Sequence, residues 1–195
     1  MSRDGTNVNI AVAVRGKEVM GPKELALQRA RKYAEMHGLL LGNEIGEGMN
    51  GVVFFADAQF DTPGRPRLSA VKACHTEVEY SRERDVYFRL QDRNITKVRT
   101  CKIPELLEYN DDLWIIEMTI VTRPFCLDFG GAFLEKPPDF SEEVMADWRA
   151  DKIEQFGKHW PEVERIIAVL EVHGIYLMDV HPKNISFPEK PPPSA

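Results

Sequence analysis

The chain has 195 residues, 43% of them hydrophobic, enough for one substantial core. A net charge of −6 excludes a protein that relies on a basic face to grip a phosphate backbone, so no nucleic-acid partner is expected. Cys74, Cys101 and Cys126 lack CxxC spacing, which argues against a disulfide framework or a zinc site, and the early apolar run "NIAVAV" is too short for a membrane span or a signal core; a cytoplasmic protein with no membrane partner is expected.

In chain order, residues 1 to 20 around "VNIAVAV" read as a short extra strand or a mobile arm. "PKELALQRARKYAEMHG" follows, with Pro22 at its start, Gly38 at its end and apolar positions at Leu25, Leu27, Ala30, Tyr33 and Ala34, which predicts an amphipathic helix. "LLLGNEIGEGMNGVVFFADAQ" predicts strand, glycine-rich turn and strand, and "DTPGRPR" a hairpin connection to a third strand, "LSAVKAC". "TEVEYSRERDVYFRL" reads as a helix with Val78, Val86, Tyr87 and Leu90 on one face. "KIPELLEY" and "DLWIIEMTIV", joined by Asn110-Asp111-Asp112, predict a second hairpin. The first 120 residues thus give about five strands with one helix inserted after the third.

Beyond Val121, "TRPFCLDFGGAFLEKPPDF" holds too much Pro and Gly for a long helix. Ser141, backed by Glu142 and Glu143, starts a helix that runs to Gly157, and "PEVERIIAVLEVHG" predicts another from Pro161 to Gly174. The final "KPPPSA" is a proline-rich tail without core-forming residues.

Gly46-Glu47-Gly48-Met49-Asn50-Gly51 is a GxGxxG pattern. In a dinucleotide-binding fold such glycines open a helix that holds a pyrophosphate, but here they open "VVFFA", a run of strand formers. A strand after the turn points to a flap over phosphates, with a plain glycine hairpin as the alternative. No GK[ST] follows, which excludes the P-loop. Lys72 lies inside the apolar "SAVKAC", where an ammonium is costly to bury unless an anion meets it; an exposed edge-strand lysine is the competing reading. Glu83 on the next helix is the available partner, because Glu77 and Glu79 at the helix start are explained by its dipole. In that arrangement Lys72 holds phosphates and Glu83 fixes its side chain.

Taken in order, "GEGMNGVV", "AVK", the helix bearing Glu83, "WIIEMTIV" and "YLMDVHPKNISF" resemble the protein kinase-like superfamily over residues 40–121 and roughly 160–187. The resemblance implies an α+β, protein kinase-like fold: an N-terminal arm and helix over 1–38, a five-stranded antiparallel N-lobe with one inserted helix over 39–121, a very small helical C-lobe over 122–187, and a tail over 188–195. It implies ATP and magnesium as cofactors. Gly46, Gly48 and Gly51 would cover the phosphates, Ile116 to Thr119 would form the hinge with backbone groups of Glu117 and Met118 on adenine, and Val53, Ala70 and Ile116 would line the base pocket. Asp179 resembles the catalytic aspartate, working with Lys72 and Glu83, and Asn184 resembles a magnesium ligand. His181 falls where a phosphate-contacting lysine is common, with a backbone-bonded structural histidine as the alternative. The DxHPxN form is nearer to small-molecule kinases such as aminoglycoside and choline phosphotransferases than to HRDLKxxN, and Leu177 and Met178 replace its His and Arg.

The family normally supplies a second metal-binding aspartate, in a DFG motif, after that asparagine; none follows Asn184 here. "CLDFGGA" lies upstream instead, either as a chance tripeptide or as a source of Asp128 for the same metal from a different chain position. Eight extended residues from Val121 reach roughly 25 Å at about 3.3 Å each, so the span is feasible. The leading expectation is a minimal ATP-dependent kinase acting on a protein or small-molecule hydroxyl. Its alternative is a nucleotide-binding pseudokinase that works as an interaction module for a partner protein, and a third reading has no nucleotide at all.

Overall fold

A computed structural model describes residues 20–59, 63, 66–126 and 128–188. The segment read as an extra strand or arm, most of "DTPGRPR" and the proline-rich tail lie outside these residues.

Helix α1 spans Pro22–His37. Proline fits its first turn, the Gly21 N–H donates to the Glu24 carboxylate at 2.9 Å, and Gly38 ends it at φ 63°. Its inward face is Ala26, Ala30, Tyr33 and Ala34, with Leu27 half-buried at the margin, whereas Leu25 is exposed. The alanines have no bulk beyond Cβ, which lets the helix lie close against a sheet.

That sheet begins with β1 (Leu39–Gly48), β2 (Gly51–Ala58) and β3 (Leu68–Cys74). Helix α2 (Glu77–Asp92) follows, opened by a reciprocal cap: the Glu79 N–H donates to Thr76 Oγ1 at 3.3 Å and the Thr76 N–H to the Glu79 carboxylate at 3.0 Å. It buries Tyr80, Glu83, Val86, Tyr87 and Leu90; Val78, in the first turn, falls off this stripe and is exposed. Next come the short β4 (Lys97–Val98) and β5 (Cys101–Lys102), then β6 (Leu106–Asn110) and β7 (Ile115–Thr119). The main sheet has five strands in the order β1-β2-β3-β7-β6, every neighbouring pair antiparallel. The fold class is therefore α+β.

The remaining elements are β8 (Phe125–Cys126), β9 (Phe133–Leu134), α3 (Glu142–Phe156), a 3₁₀ turn (Gly157–His159), α4 (Trp160–Val172), β10 (Ile175–Tyr176) and β11 (Ile185–Ser186). The Ser141 hydroxyl caps α3 by accepting from the Val144 N–H. A second sheet runs β11-β8-β5-β4, and β9 pairs with β10.

Two apolar cores flank the main sheet. Helix α1 covers one face together with Val52, Phe54, Val71 and Ile115. The other core joins Tyr87, Leu90, Ile116 and Met118 to Val163, Ile166 and Leu170 of α4. Strand β7 belongs to both, because successive side chains point to opposite faces. Ile115 and Ile116 are each fully buried, contributing about 1.5–3 kcal/mol apiece. Among the described residues no helix is long and apolar enough to cross a membrane.

Candidate functional site

A cavity of about 660 Å³ opens beneath the glycine-rich turn that joins β1 to β2. The turn, β3, α2 and the stretch after β7 contribute to its walls, as do the segment after β8 and the loop before β11. A second hollow of about 420 Å³, between α2 and β9, is lined by Val78, Arg82 and Phe133 among others and brings together no comparable set of charges.

Lys72 stands in the third-strand ladder between Val53 and Ile116, with its residue only 4% exposed. Its Nζ lies 2.6 Å from Glu83 Oε2 and 2.9 Å from Asp128 Oδ1. Glu83 is delivered by the buried stripe of α2. Burial opposes the ammonium, yet the charges of Glu83 and Asp128 outweigh it and hold the Lys72 pKa well above the usual lysine range. Burial likewise pushes the Glu83 carboxyl up, and Lys72 offsets this only in part. For Asp128 burial is again the largest influence and raises the pKa, but Lys72 and the hydrogen bonds to the carboxylate overcome it and leave the group below its ordinary value.

Asp128 belongs to the segment that follows β8, and Asn184 to the loop that leads into β11. These strands are antiparallel, with Cys126 opposite Ile185 and Phe125 opposite Ser186. Asp128 comes two residues after Cys126 and Asn184 one residue before Ile185, so both leave the ladder at the same end and line the same cavity. Asn184 Nδ2 donates at 3.2 Å to both the backbone oxygen and Oδ2 of Asp179. The loop coils tightly, since the Asn184 and Ile185 N–H groups both donate to the His181 carbonyl. Gly131 brings the two segments together: a β-carbon there would lie 3.1 Å from Asp179 Cβ. Trp148 of α3 supports the loop by donating to the Met178 carbonyl.

His181 Nδ1 accepts from the Lys183 N–H at 3.1 Å, so the neutral ring carries its proton on Nε2. Asn184 uses its nitrogen on Asp179; among the described residues its Oδ1 enters no hydrogen bond, and this hard oxygen donor belongs to the same cavity lining as Asp128. No group of three or more His, Cys, Asp or Glu in metal-holding geometry occurs among the described residues. An oxygen-seeking ion held jointly by a phosphate ligand needs only one or two protein donors, and Asp128 with Asn184 fits that requirement.

The residues singled out in the sequence come together on this cavity, except Ile116 and Glu117. Glu117 lies on the opposite face of β7, fully buried, and accepts 2.7 Å hydrogen bonds from Tyr33 and Ser69. Glu117 and Met118 are also flanked by strands on both sides, so it is the end of β7 at Thr119 and the stretch past it, Ile120 and Val121, that run along the cavity wall. Val53, Ala70 and Met118 supply the apolar wall, and Tyr87 bonds the Met118 sulfur at 3.2 Å. Sequence reasoning missed Arg123 and Lys183, two lining cations; the only signal for Lys183 was its place between Asp179 and Asn184. The chain matches no protein-family model, and no curated protein is significantly similar to it.

Proposed function

We propose that the chain is a minimal, atypical member of the protein kinase-like superfamily that transfers the γ-phosphoryl group of ATP to a hydroxyl. The observation that carries this reading is the meeting of Lys72, Glu83, Asp128, Asp179 and Asn184 on one cavity under a glycine-rich turn. Adenine would lie against Val53, Ala70 and Met118, with its polar edge on the backbone between Thr119 and Val121 in place of Glu117. Lys72 would hold the α/β-phosphates while Glu83 keeps its ammonium in place. Asp128 and Asn184 would hold magnesium, which supplies charge neutralisation at the transferring phosphoryl group. The chain order is unusual, because the Asp-Phe-Gly segment precedes the Asp179 loop; the β8–β11 pairing is what makes that order workable.

Asp179, exposed and hydrogen-bonded to Asn184, would orient the acceptor. The acceptor oxygen forms a bond to γ-phosphorus, its proton passes to the Asp179 carboxylate, and the bond to the ADP oxygen breaks. His181, with Nε2–H available, would donate to a phosphate oxygen. One observation favours the second reading, nucleotide binding without transfer: Lys72 and the Gly130 N–H both hold Asp128 Oδ1 and must share or yield it before a metal can take it. Incubation with γ-labelled ATP and magnesium separates the two readings. Label on the chain or on an added hydroxyl acceptor, lost to near background in Asp179→Ala, is the expected result; ATP binding with no label in any fraction favours the non-transferring module.

A further inference from the structure

The glycine-rich turn carries a polar side chain to which none of these steps gives a role. The Asn50 backbone carbonyl accepts from the His75 N–H at 3.1 Å, which pins the turn to the residue just past β3. From that anchor its side-chain amide reaches the backbone at Gly130, whose own N–H holds the Asp128 carboxylate, and its nearness to that carboxylate helps keep the Asp128 pKa low. Gly130 makes the approach feasible. A β-carbon there would lie 2.9 Å from Asn50 Nδ2 and 3.0 Å from Asn50 Cβ.

Asp128 has φ 62°, an uncommon backbone region for a residue other than glycine. Its Oδ1 takes the Lys72 ammonium at 2.9 Å and the Gly130 N–H at 3.2 Å. The carboxylate is thus held by a rigid strand and by its own loop, and Asn50 of the glycine turn lies against that loop at Gly130. The other polar side chain of the turn, Glu47, lines the cavity but is paired with Lys23 of α1 at 2.6 Å. Of the two, Asn50 is the one that lies against the Asp128 segment, at Gly130.

We infer that Asn50 is a positioning residue that orients Asp128 from the glycine-rich turn, so that seating of the turn and presentation of the carboxylate to a metal occur together. The metal half of this statement rests on the proposed function; the approach of the turn to the Asp128 segment does not.

Hydrogen exchange of the ligand-free chain tests the contact. Asn50→Ala and Asp128→Ala should each raise exchange at residues 46–51 about tenfold, as expected for one hydrogen bond to a charged group, and the double variant no further. Gly130→Ala should reproduce the effect by displacing the amide, whereas Asn50→Ser, which keeps a donor, should recover part of it. Additive effects of the two single variants, or unchanged exchange in both, would overturn the inference. ATP affinity in magnesium and in a chelator tests the coupling. Asn50→Ala should cut the gain from magnesium about tenfold and leave affinity in chelator within twofold; an equal loss in both conditions marks a merely structural turn and overturns the coupling. If the wild type binds no ATP in either condition, the proposed function falls, and the exchange experiment still decides whether Asn50 holds Asp128.

Discussion

Asp128 shows how much one residue's environment can be made to carry. It adopts a left-handed conformation, which Asp tolerates better than most residues, and its carboxylate gains a buried cation in return. Its pKa in the folded chain lies below the ordinary value despite burial, so the sign of its pH dependence is fixed. The stabilising contribution is complete above the unfolded pKa of about 3.9 and is lost as pH falls through the lower folded value. Asp128→Asn keeps the backbone preference and removes the charge. Urea unfolding of the metal-free chain should therefore show the variant roughly 1–2 kcal/mol less stable than wild type at pH 7, with the gap closing towards pH 3. The sequence alone offered the residue as one of two readings of a tripeptide. Its pairing with Lys72 could not be read there, because 56 residues separate them.

At the scale of elements, α1 is fastened to the sheet by more than apolar contact. Tyr33 donates to the buried Glu117 carboxylate at 2.7 Å, Arg29 donates to the Cys74 carbonyl at 2.5 Å, and the Arg29 guanidinium lies 4.6 Å from the Trp114 ring centre. Such bonds to a charged acceptor typically contribute about 1.5–3 kcal/mol, and their loss exposes the remaining carboxylate to an unfavourable site. Tyr33→Phe should lower stability by about that amount, and hydrogen exchange should place the loosening in α1 rather than in α4. The helix itself was legible from Pro22, Gly38 and the apolar spacing. Its buried face was not, because Leu25 outranks Ala26 in hydrophobicity while the sheet accepts the smaller side chain. The same limit placed Glu117 at the cavity: a strand's period is visible in "WIIEMTIV", but which parity faces which core depends on α1, an element far away in the chain.

At the scale of the whole molecule, the main sheet could be anticipated because its strands follow one another through turns with clear Gly, Pro or Asn-Asp signals. The small sheet β11-β8-β5-β4 could not, since strands of two residues have no measurable period and their partners are scattered along the chain. Yet that sheet brings Asp128 and Asn184 to one end of a ladder, so the feature hardest to see in sequence is the one that assembles the site. A cavity formed by the turn above and two distant loops below implies that ligand affinity depends on all three at once.

The most direct test is calorimetric titration of ATP into the wild-type chain and Asp128→Ala, each with and without magnesium. A site built from Lys72, Asp128 and Asn184 predicts binding by the wild type that magnesium tightens at least tenfold, and a variant in which most of that gain is gone. Magnesium-dependent binding that is undiminished in Asp128→Ala, or no binding by the wild type at all, would contradict it.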